Sequence, residues 1–502
     1  MNPKEHDMKK ILALIICLLF IPALFGCGSR SDVPADAGGD VVSIFTPVPS
    51  GSDTASPVPS QPSDTYEPSE PAVTAAPVLP TEAPFVPANV DEAIARYQGY
   101  AIGFTPVDRS PVPPSAPISE PRYTLGSDGI YHSSESTGDN EASIMFTGDL
   151  MCQTRQQEAA KKGSTYDFTG SFYYLRDLFS KCDLLVGNLE ATLCASAPYM
   201  SERSYVDGSP HLNSPATFLE ALRYAGYDMV VMANNHACDS GVRGIYDTLD
   251  RVEEYRLIHT GTFRNIEEPR IVVIDVEGIK VAILSYATYF NHKEERITLE
   301  GQRAMLNIYS KERVARDAAS ARAAGAEYVF CYIHWGVEYM QDPNYVFTLP
   351  AKLKLSDRSF SLIATTNDQP TIAQEIADAG VDYILGSHPH AVQPYDILTA
   401  SDGRRVPVIF SLGNFVSHQK PAITKDTMIL RVVLTRDSSG KAVLSKEGYV
   451  PARELVSYNG RSYTVVPITY PYRKDNSSSE FAPAYYRIVG IVGPKLPIMG
   501  TL

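Results

Sequence analysis

The run "VDYILGSHPHAVQP" places two histidines, His388 and His390, one residue apart at the end of an apolar stretch. Five other apolar runs finish in the same way. "IMFTGDLM" delivers Asp149, and "LLVGNLEATL" delivers Asn188 and Glu190. "VVMANNHACDSG" delivers Asn234, Asn235, His236 and Asp239, and "VFCYIHWGVEY" delivers His334, Trp335 and Glu338. Gln393 follows the two histidines, and Asn414 closes "VIFSLGN". Carboxylate, amide carbonyl and neutral imidazole together suit borderline divalent ions such as Mn²⁺, Fe²⁺ or Zn²⁺. Several of them converging can hold one or two such ions, a pair standing roughly 3.5–4 Å apart, where they acidify a water and clamp the oxygens of a displacement. One polar strand end means nothing; six, biased to metal-ligand types and poor in Lys and Arg, form a pattern.

Such a site needs elements that carry all six ends to one edge. The strand candidates are "ASIMFTG", "DLLVGN", "DMVVMAN", "VAILSY", "EYVFCYIHW", "VDYILGS", "VPVIFSLGN" and "MILRVVLT". Amphipathic runs alternate with them, among them "SPATFLEALRYAG", "GIYDTLDRVEEY", "KERVARDAASARAAG" and "PTIAQEIADAG". Ser214 reads as an N-cap with Pro215 at the first helical position, and Gly226 as the stop. Asp239 reads as another N-cap, and Asn234 as a turn former. Strand then helix, repeated, predicts an α/β domain, in which ligands bind beyond the carboxyl ends of the strands. In an extended His-Pro-His segment alternate side chains point the same way, so His388 and His390 are predicted to approach one cluster together, with Pro389 biasing His388 to extended backbone.

The chain has 502 residues, 44% of them hydrophobic, and a net charge of −14. A core is affordable in size, and a general nucleic-acid partner is excluded, since that grip rests on basic residues neutralising phosphates. Residues 1–27 read as a lipoprotein signal peptide. Lys9 and Lys10 precede the apolar "ILALIICLLFIPALFG", which ends in "LFGC", a charged n-region followed by an apolar h-region. Cys27 is then the lipidated residue, or the leader stays as an uncleaved signal anchor. Both readings put the bulk of the chain outside the cytoplasm, on the bacterial membrane. Residues 28–88 form a Pro/Ser-rich tract with no periodic apolar residues, predicted to be a disordered stalk. Residues 89–141 form an N-terminal arm, 142–470 the α/β domain and 471–502 a C-terminal extension. The five cysteines beyond the leader have no disulfide or zinc spacing.

Six motifs in order, "GDLM", "GNLE", "NNHACDSG", "HWGVEY", "GSHPHAVQP" and "SLGNF", resemble the CapA-type proteins of capsule and poly-γ-glutamate synthesis, relatives of calcineurin-like metallophosphoesterases. The resemblance covers about 142–435. It implies a layered β-sandwich flanked by helices, with a metal centre at the strand ends. It implies Asp149 and His390 on a first ion, Glu190 bridging, and Asn235, His334 and His388 on a second. His236, beside Asn235, becomes the acid or electrostatic partner over substrate. Trp335, Glu338, Gln393 and Asn414 are expected to contact substrate. Two departures stand out. Met151 occupies the place of a phosphoesterase histidine, and 340–368 is longer than the pattern requires. Two functions follow: a metal-dependent hydrolase or transferase acting on an envelope polymer or phosphoester, or a non-catalytic accessory subunit beside the membrane subunits of a polymer synthesis and export complex.

Overall fold

The computed structural model describes residues 118–202, 211–291, 305–344, 369–457, 462–469 and 479–499, with shorter pieces near 88–92 and at 107–110, 293–294, 352–355 and 358–361. The leader, Cys27 and nearly all of the 28–88 tract lie outside the described residues. Among the described residues no helix is long and apolar enough to cross a membrane.

In chain order the main strands are β1 (Tyr123–Leu125), β2 (Tyr131–Ser133), β3 (Glu141–Leu150), β4 (Leu184–Leu189), β5 (Met229–Val231), β6 (Ile258–Thr260), β7 (Val273–Val276) and β8 (Ile279–Ala287). There follow β9 (Tyr328–His334), β10 (Tyr383–Ser387), β11 (Tyr395–Thr399), β12 (Arg405–Ile409), β13 (Asn414–Val416), β14 (Asp426–Arg436), β15 (Ala442–Val456) and β16 (Tyr463–Pro467). They build two eight-stranded sheets. The first runs β16-β15-β14-β3-β4-β5-β6, with β13 against the end of β3; the second runs β1-β2-β7-β8-β9-β10-β12-β11. The centre of each is parallel: β3-β4-β5-β6 in one, β8-β9-β10-β12 in the other.

Alternation along these strands feeds separate cores. Ile144, Phe146, Val186 and Val231 of the first sheet meet Ile283, Phe330, Tyr332 and Leu385 of the second between the layers. Met145, Leu185 and Val230 face the other way, onto Phe218, Leu222, Ile245 and Leu249. Those residues belong to helices α1 (Thr217–Ala225) and α2 (Gly241–Glu254). Leu284, Cys331 and Ile384 likewise face Val314 and Ile372, on α3 (Lys311–Ala323) and α4 (Gln369–Asp378). The result is helix, sheet, sheet, helix. Burial on both faces explains why the central strands read as unbroken apolar runs.

Several expectations shift in detail. α1 starts at Thr217 with Ala216 before it, and Ser214 Oγ instead donates to the Cys152 carbonyl. Gly226 does end the helix, at φ 108°. β1 and β2 join the second sheet, so the described end of the N-terminal arm is part of the fold. A helix at the C-terminus, α5 (Phe481–Val492), sends Phe481, Ala484, Ile488 and Val492 into the interlayer core. Arg487 grips Asp426 of β14 at 2.6 Å, and Arg453 of β15 pairs with both Asp426 and Glu480. The described part of the 471–502 extension, 479–499, therefore packs onto the sandwich. All five cysteines of the described residues are buried thiols.

Candidate metal centre

The carboxyl ends of both parallel blocks meet at one place, where the segment from Phe410 to Asn414 carries the chain from β12 of the second sheet to β13 of the first and packs closely on a glycine of each sheet. A Cβ on Gly148 would lie 1.8 Å from the Gly413 carbonyl oxygen, and one on Gly386 would lie 1.9 Å from that of Phe410. Across this contact Asp149 N–H donates to the Gly413 carbonyl at 3.1 Å. His388 N–H donates to Asp149 Oδ2 at 3.3 Å, tying the second sheet to the first.

Around that junction Asp149 is the last residue but one of β3, Glu190 follows β4, Asn235 and His236 follow β5, His334 ends β9, and His388 and His390 follow β10. All are almost entirely buried. Glu190 Oε1 stands 3.9 Å from His236 Nε2, 4.0 Å from His334 Nε2 and 4.0 Å from His390 Nε2. Neither Glu190 oxygen has a hydrogen-bond partner. His334 Nε2 lies 3.0 Å from Asn235 Oδ1 and 3.1 Å from His388 Nδ1. Asp149, Glu190 and His390 can share one ion, and so can Glu338, His388 and His390.

The electrostatics of this cluster call for a cation. Burial, with Asp149, Glu338 and Asp239 nearby, pushes the Glu190 carboxyl well above its ordinary range. A buried carboxylate without partners is costly. Burial and neighbouring imidazoles push His334 and His388 well below the usual histidine range, which keeps them neutral, the form that binds metal. Burial also works against a charged His390, but Asp149 and Glu338 outweigh it and raise its pKa. The donor set therefore fits a divalent ion of the Mn²⁺, Fe²⁺ or Zn²⁺ kind.

Outer contacts aim these side chains. His334 Nδ1 meets Ser387 Oγ at 2.9 Å, which turns Nε2 toward the centre. His390 Nδ1–H donates to Asn414 Oδ1 at 2.8 Å, leaving Nε2 facing Glu190. Asn188 Nδ2 donates to Asp149 Oδ1 at 2.8 Å. Asn234 spans from Asn188 Oδ1 and the Leu189 carbonyl to the His236 N–H. His236 Nδ1 meets Asp239 Oδ2 at 2.6 Å, and Lys293 Nζ meets Asp239 Oδ1 at 2.7 Å. Burial opposes ionisation of Asp239, yet His236 and Lys293 hold its carboxyl well below the usual range. Asp239 thus orients His236 and does not cap α2, whose N-cap is Ser240. Residue types alone carry little sign of these roles for Ser387 and Asp239.

The structure differs from several expectations. His388 and His390 are not extended: their φ angles are 93° and 56°. The His-Pro-His segment is a turn, pinned by the His388 N–H on Asp149 and by the Pro389 carbonyl, which accepts from Tyr339 N–H at 2.8 Å. Trp335 does not line the site. It is fully buried, stacks on Phe410 and donates from Nε1 to the Phe410 carbonyl at 2.8 Å. Gln393 is spent on Gln369 and on the Met340 carbonyl. Asn414 is spent on His390, Ser417, Gln419 and the Thr424 carbonyl. Both are engaged in buried hydrogen bonds that position other groups. Glu338, also expected at substrate, stands half-buried beside His388 and His390. Met151 is buried in the apolar cluster outside the first sheet.

The chain is 28% identical over 315 residues to the capsule biosynthesis protein CapA of Bacillus anthracis, covering 61% of this chain and 67% of that protein. It is 25% identical over 309 residues to the PGA biosynthesis protein CapA of Bacillus subtilis (strain 168), covering 60% and 70%. Among solved structures, it superposes on the calcineurin-like phosphoesterase YfkN of Bacillus subtilis with a TM-score of 0.38 and 13% identity, covering 69% of this chain and 96% of that one. Against the NAD nucleotidase of Haemophilus influenzae the TM-score is 0.38 at 11% identity, covering 70% and 57%. The family model for the bacterial capsule synthesis protein PGA_cap matches residues 143–347 and 363–419. The gap holds a two-stranded hairpin, Lys352–Leu355 against Arg358–Ser361, within the segment that was expected to be an insertion. The match spans more than half of the chain, and the chain belongs to the bacterial capsule synthesis protein family PGA_cap.

Proposed function

We propose that this chain is a surface lipoprotein that hydrolyses or transfers bonds in an envelope polymer, capsule or poly-γ-glutamate, or in a phosphoester, at a divalent metal centre. The observation that carries this reading is Glu190: both its oxygens are buried without partners, and three imidazoles face it at 3.9–4.0 Å. Asp149 and His390 would hold one ion, Asn235, His334 and His388 another, with Glu190 between them. When bound, such ions acidify water and polarise the bond under attack. The protein's own groups then do the following. Asp239 holds His236 with its Nε2 toward Glu190, so that His236 gives a proton to a leaving oxygen or nitrogen. Burial excludes bulk water and strengthens every charge contact in the site. The curated relatives are named for capsule and PGA biosynthesis, which supports an envelope polymer as substrate and membrane subunits of a synthesis complex as partners. The net charge of −14 argues against nucleic acid.

The test is a divalent-ion assay on the purified chain, followed by a panel of phosphodiesters and γ-glutamyl peptides. Turnover of one class, lost on chelation and restored by metal, supports the reading. A well-folded chain that binds no divalent ion refutes it. A metal-bound chain inert on every substrate supports the second reading, an accessory subunit. One observation favours that second reading: Met151, where a phosphoesterase has histidine, lies in an apolar cluster. Anchoring through Cys27 is tested separately, since Cys27→Ala should release the chain from membranes or leave a precursor. Unchanged membrane association at normal size would refute a lipid anchor.

A further inference from the structure

The turn after β9 is built with unusual care for a segment that follows a strand. Gly336 sits at φ 90°, and a Cβ there would meet the Gln369 amide at 2.7–2.9 Å. Tyr339, a non-glycine residue, is held at φ 65°. Backbone in this region is costly for a side-chain-bearing residue and persists where the surroundings enforce it. Here two hydrogen bonds enforce it. Tyr339 N–H donates to the carbonyl of Pro389, the residue between the two histidines, at 2.8 Å. Gln393 Nε2 donates to the Met340 carbonyl at 2.9 Å. Glu338, between Gly336 and Tyr339, is thereby lashed to the turn that bears His388 and His390. Ligand atoms of Glu338, His388 and His390 all lie within 4.8 Å of one another. The neighbouring Glu190, fully buried and without a hydrogen-bond partner, has its Oε1 4.0 Å from His390 Nε2.

We propose that Glu338 is a metal ligand, adding a carboxylate to the centre on the side where His388 and His390 approach it. The inference rests on the metal-centre reading above and adds a residue to it. It also assigns the strained turn its purpose. A carboxylate that only brushed substrate would not need its backbone tied at both flanks to the ligand turn, whereas a ligand must be placed to within a fraction of an ångström.

The test uses the full chain stripped with chelator and titrated with Mn²⁺, the bound ion counted by equilibrium dialysis and followed by electron paramagnetic resonance. Glu338→Gln is nearly isosteric and leaves the hydrogen bonds of the turn intact; Glu338→Ala is the second variant. Both should weaken Mn²⁺ binding by roughly 10–100-fold, the range seen when a metal-orienting group is lost, or more. The urea midpoint of the metal-free Gln variant should match that of the wild type. Unchanged Mn²⁺ number and affinity in both variants overturns the proposal and leaves the metal centre standing. Should the Ala variant fail to fold, the Gln variant decides alone. A wild-type chain that binds neither Mn²⁺, Zn²⁺ nor Fe²⁺ overturns this inference together with the reading on which it rests.

Discussion

Replacing Glu190 by Gln separates a metal ligand from a structural carboxylate, because the two roles give opposite signs. In the metal-free chain Glu190 is a buried carboxyl without a hydrogen-bond partner, near Asp149, Glu338 and Asp239. Leaving a buried polar group unsatisfied costs about 1–3 kcal/mol, more if charged. A neutral amide of the same shape removes the charge and can donate toward the imidazoles at 3.9–4.0 Å. The metal-free variant should therefore be more stable than the wild type, by about 1–3 kcal/mol. Metal reverses the comparison. At a free ion concentration of 100 times the dissociation constant, binding stabilises the wild type by about 2.7 kcal/mol. If the variant binds about 100-fold more weakly, it gains only about 0.4 kcal/mol. The assay is urea unfolding in chelator and again in Mn²⁺. The expected pattern is a higher midpoint for the variant in chelator and a much smaller shift on adding metal. A variant destabilised equally in both conditions would refute the reasoning, since Glu190 would then be holding the fold and not an ion.

Other outcomes follow from the same contacts. Asp239→Asn removes the charge that orients His236 at 2.6 Å. It should lower any turnover by about 100-fold while leaving metal content unchanged, because general acid-base groups contribute at least that much; loss of metal as well would place Asp239 among the ligands. Gly386→Ala should prevent stable folding, since the new Cβ would stand 1.9 Å from the Phe410 carbonyl oxygen; a variant with wild-type stability would show that the backbone after β12 does not pack so closely on β10. Burial pushes the Glu454 carboxyl up from 4.5 to about 8. Folding thus favours its protonated form, and stability drawn from it is complete below pH 4.5 and is lost as pH rises toward 8. Glu454→Gln should gain stability over the wild type steadily from about pH 5 to pH 8 in thermal unfolding, and a difference flat with pH would refute the shift.

The strand ends were legible for a physical reason. Strands buried on both faces are apolar throughout, so Asp149, Glu190, His334 and His388 stand out where each run stops. Residue type then sufficed for the chemistry. What escaped was set by contacts between segments far apart in the chain. His388 N–H finds Asp149 across 239 residues, and that bond turns a segment that Pro389 alone would extend. Trp335 resembles a pocket residue in its motif, yet the neighbouring Gly386 opens a slot beneath it and Phe410 stacks on it. Asp239 sits where a helix cap belongs, but Lys293 and His236 compete for its oxygens and win. Ser387 carries no signal of its own, since only the pairing of β9 with β10 sets it against His334.

The most direct test of the central claim is anomalous X-ray scattering from crystals of the chain grown with Mn²⁺ and, separately, with Zn²⁺. The metal-centre reading requires a peak among Asp149, Glu190, His334, His388 and His390, with Glu190 within bonding distance of the ion. A well-ordered site with no anomalous peak, and Glu190 hydrogen-bonded to water in place of metal, would contradict it.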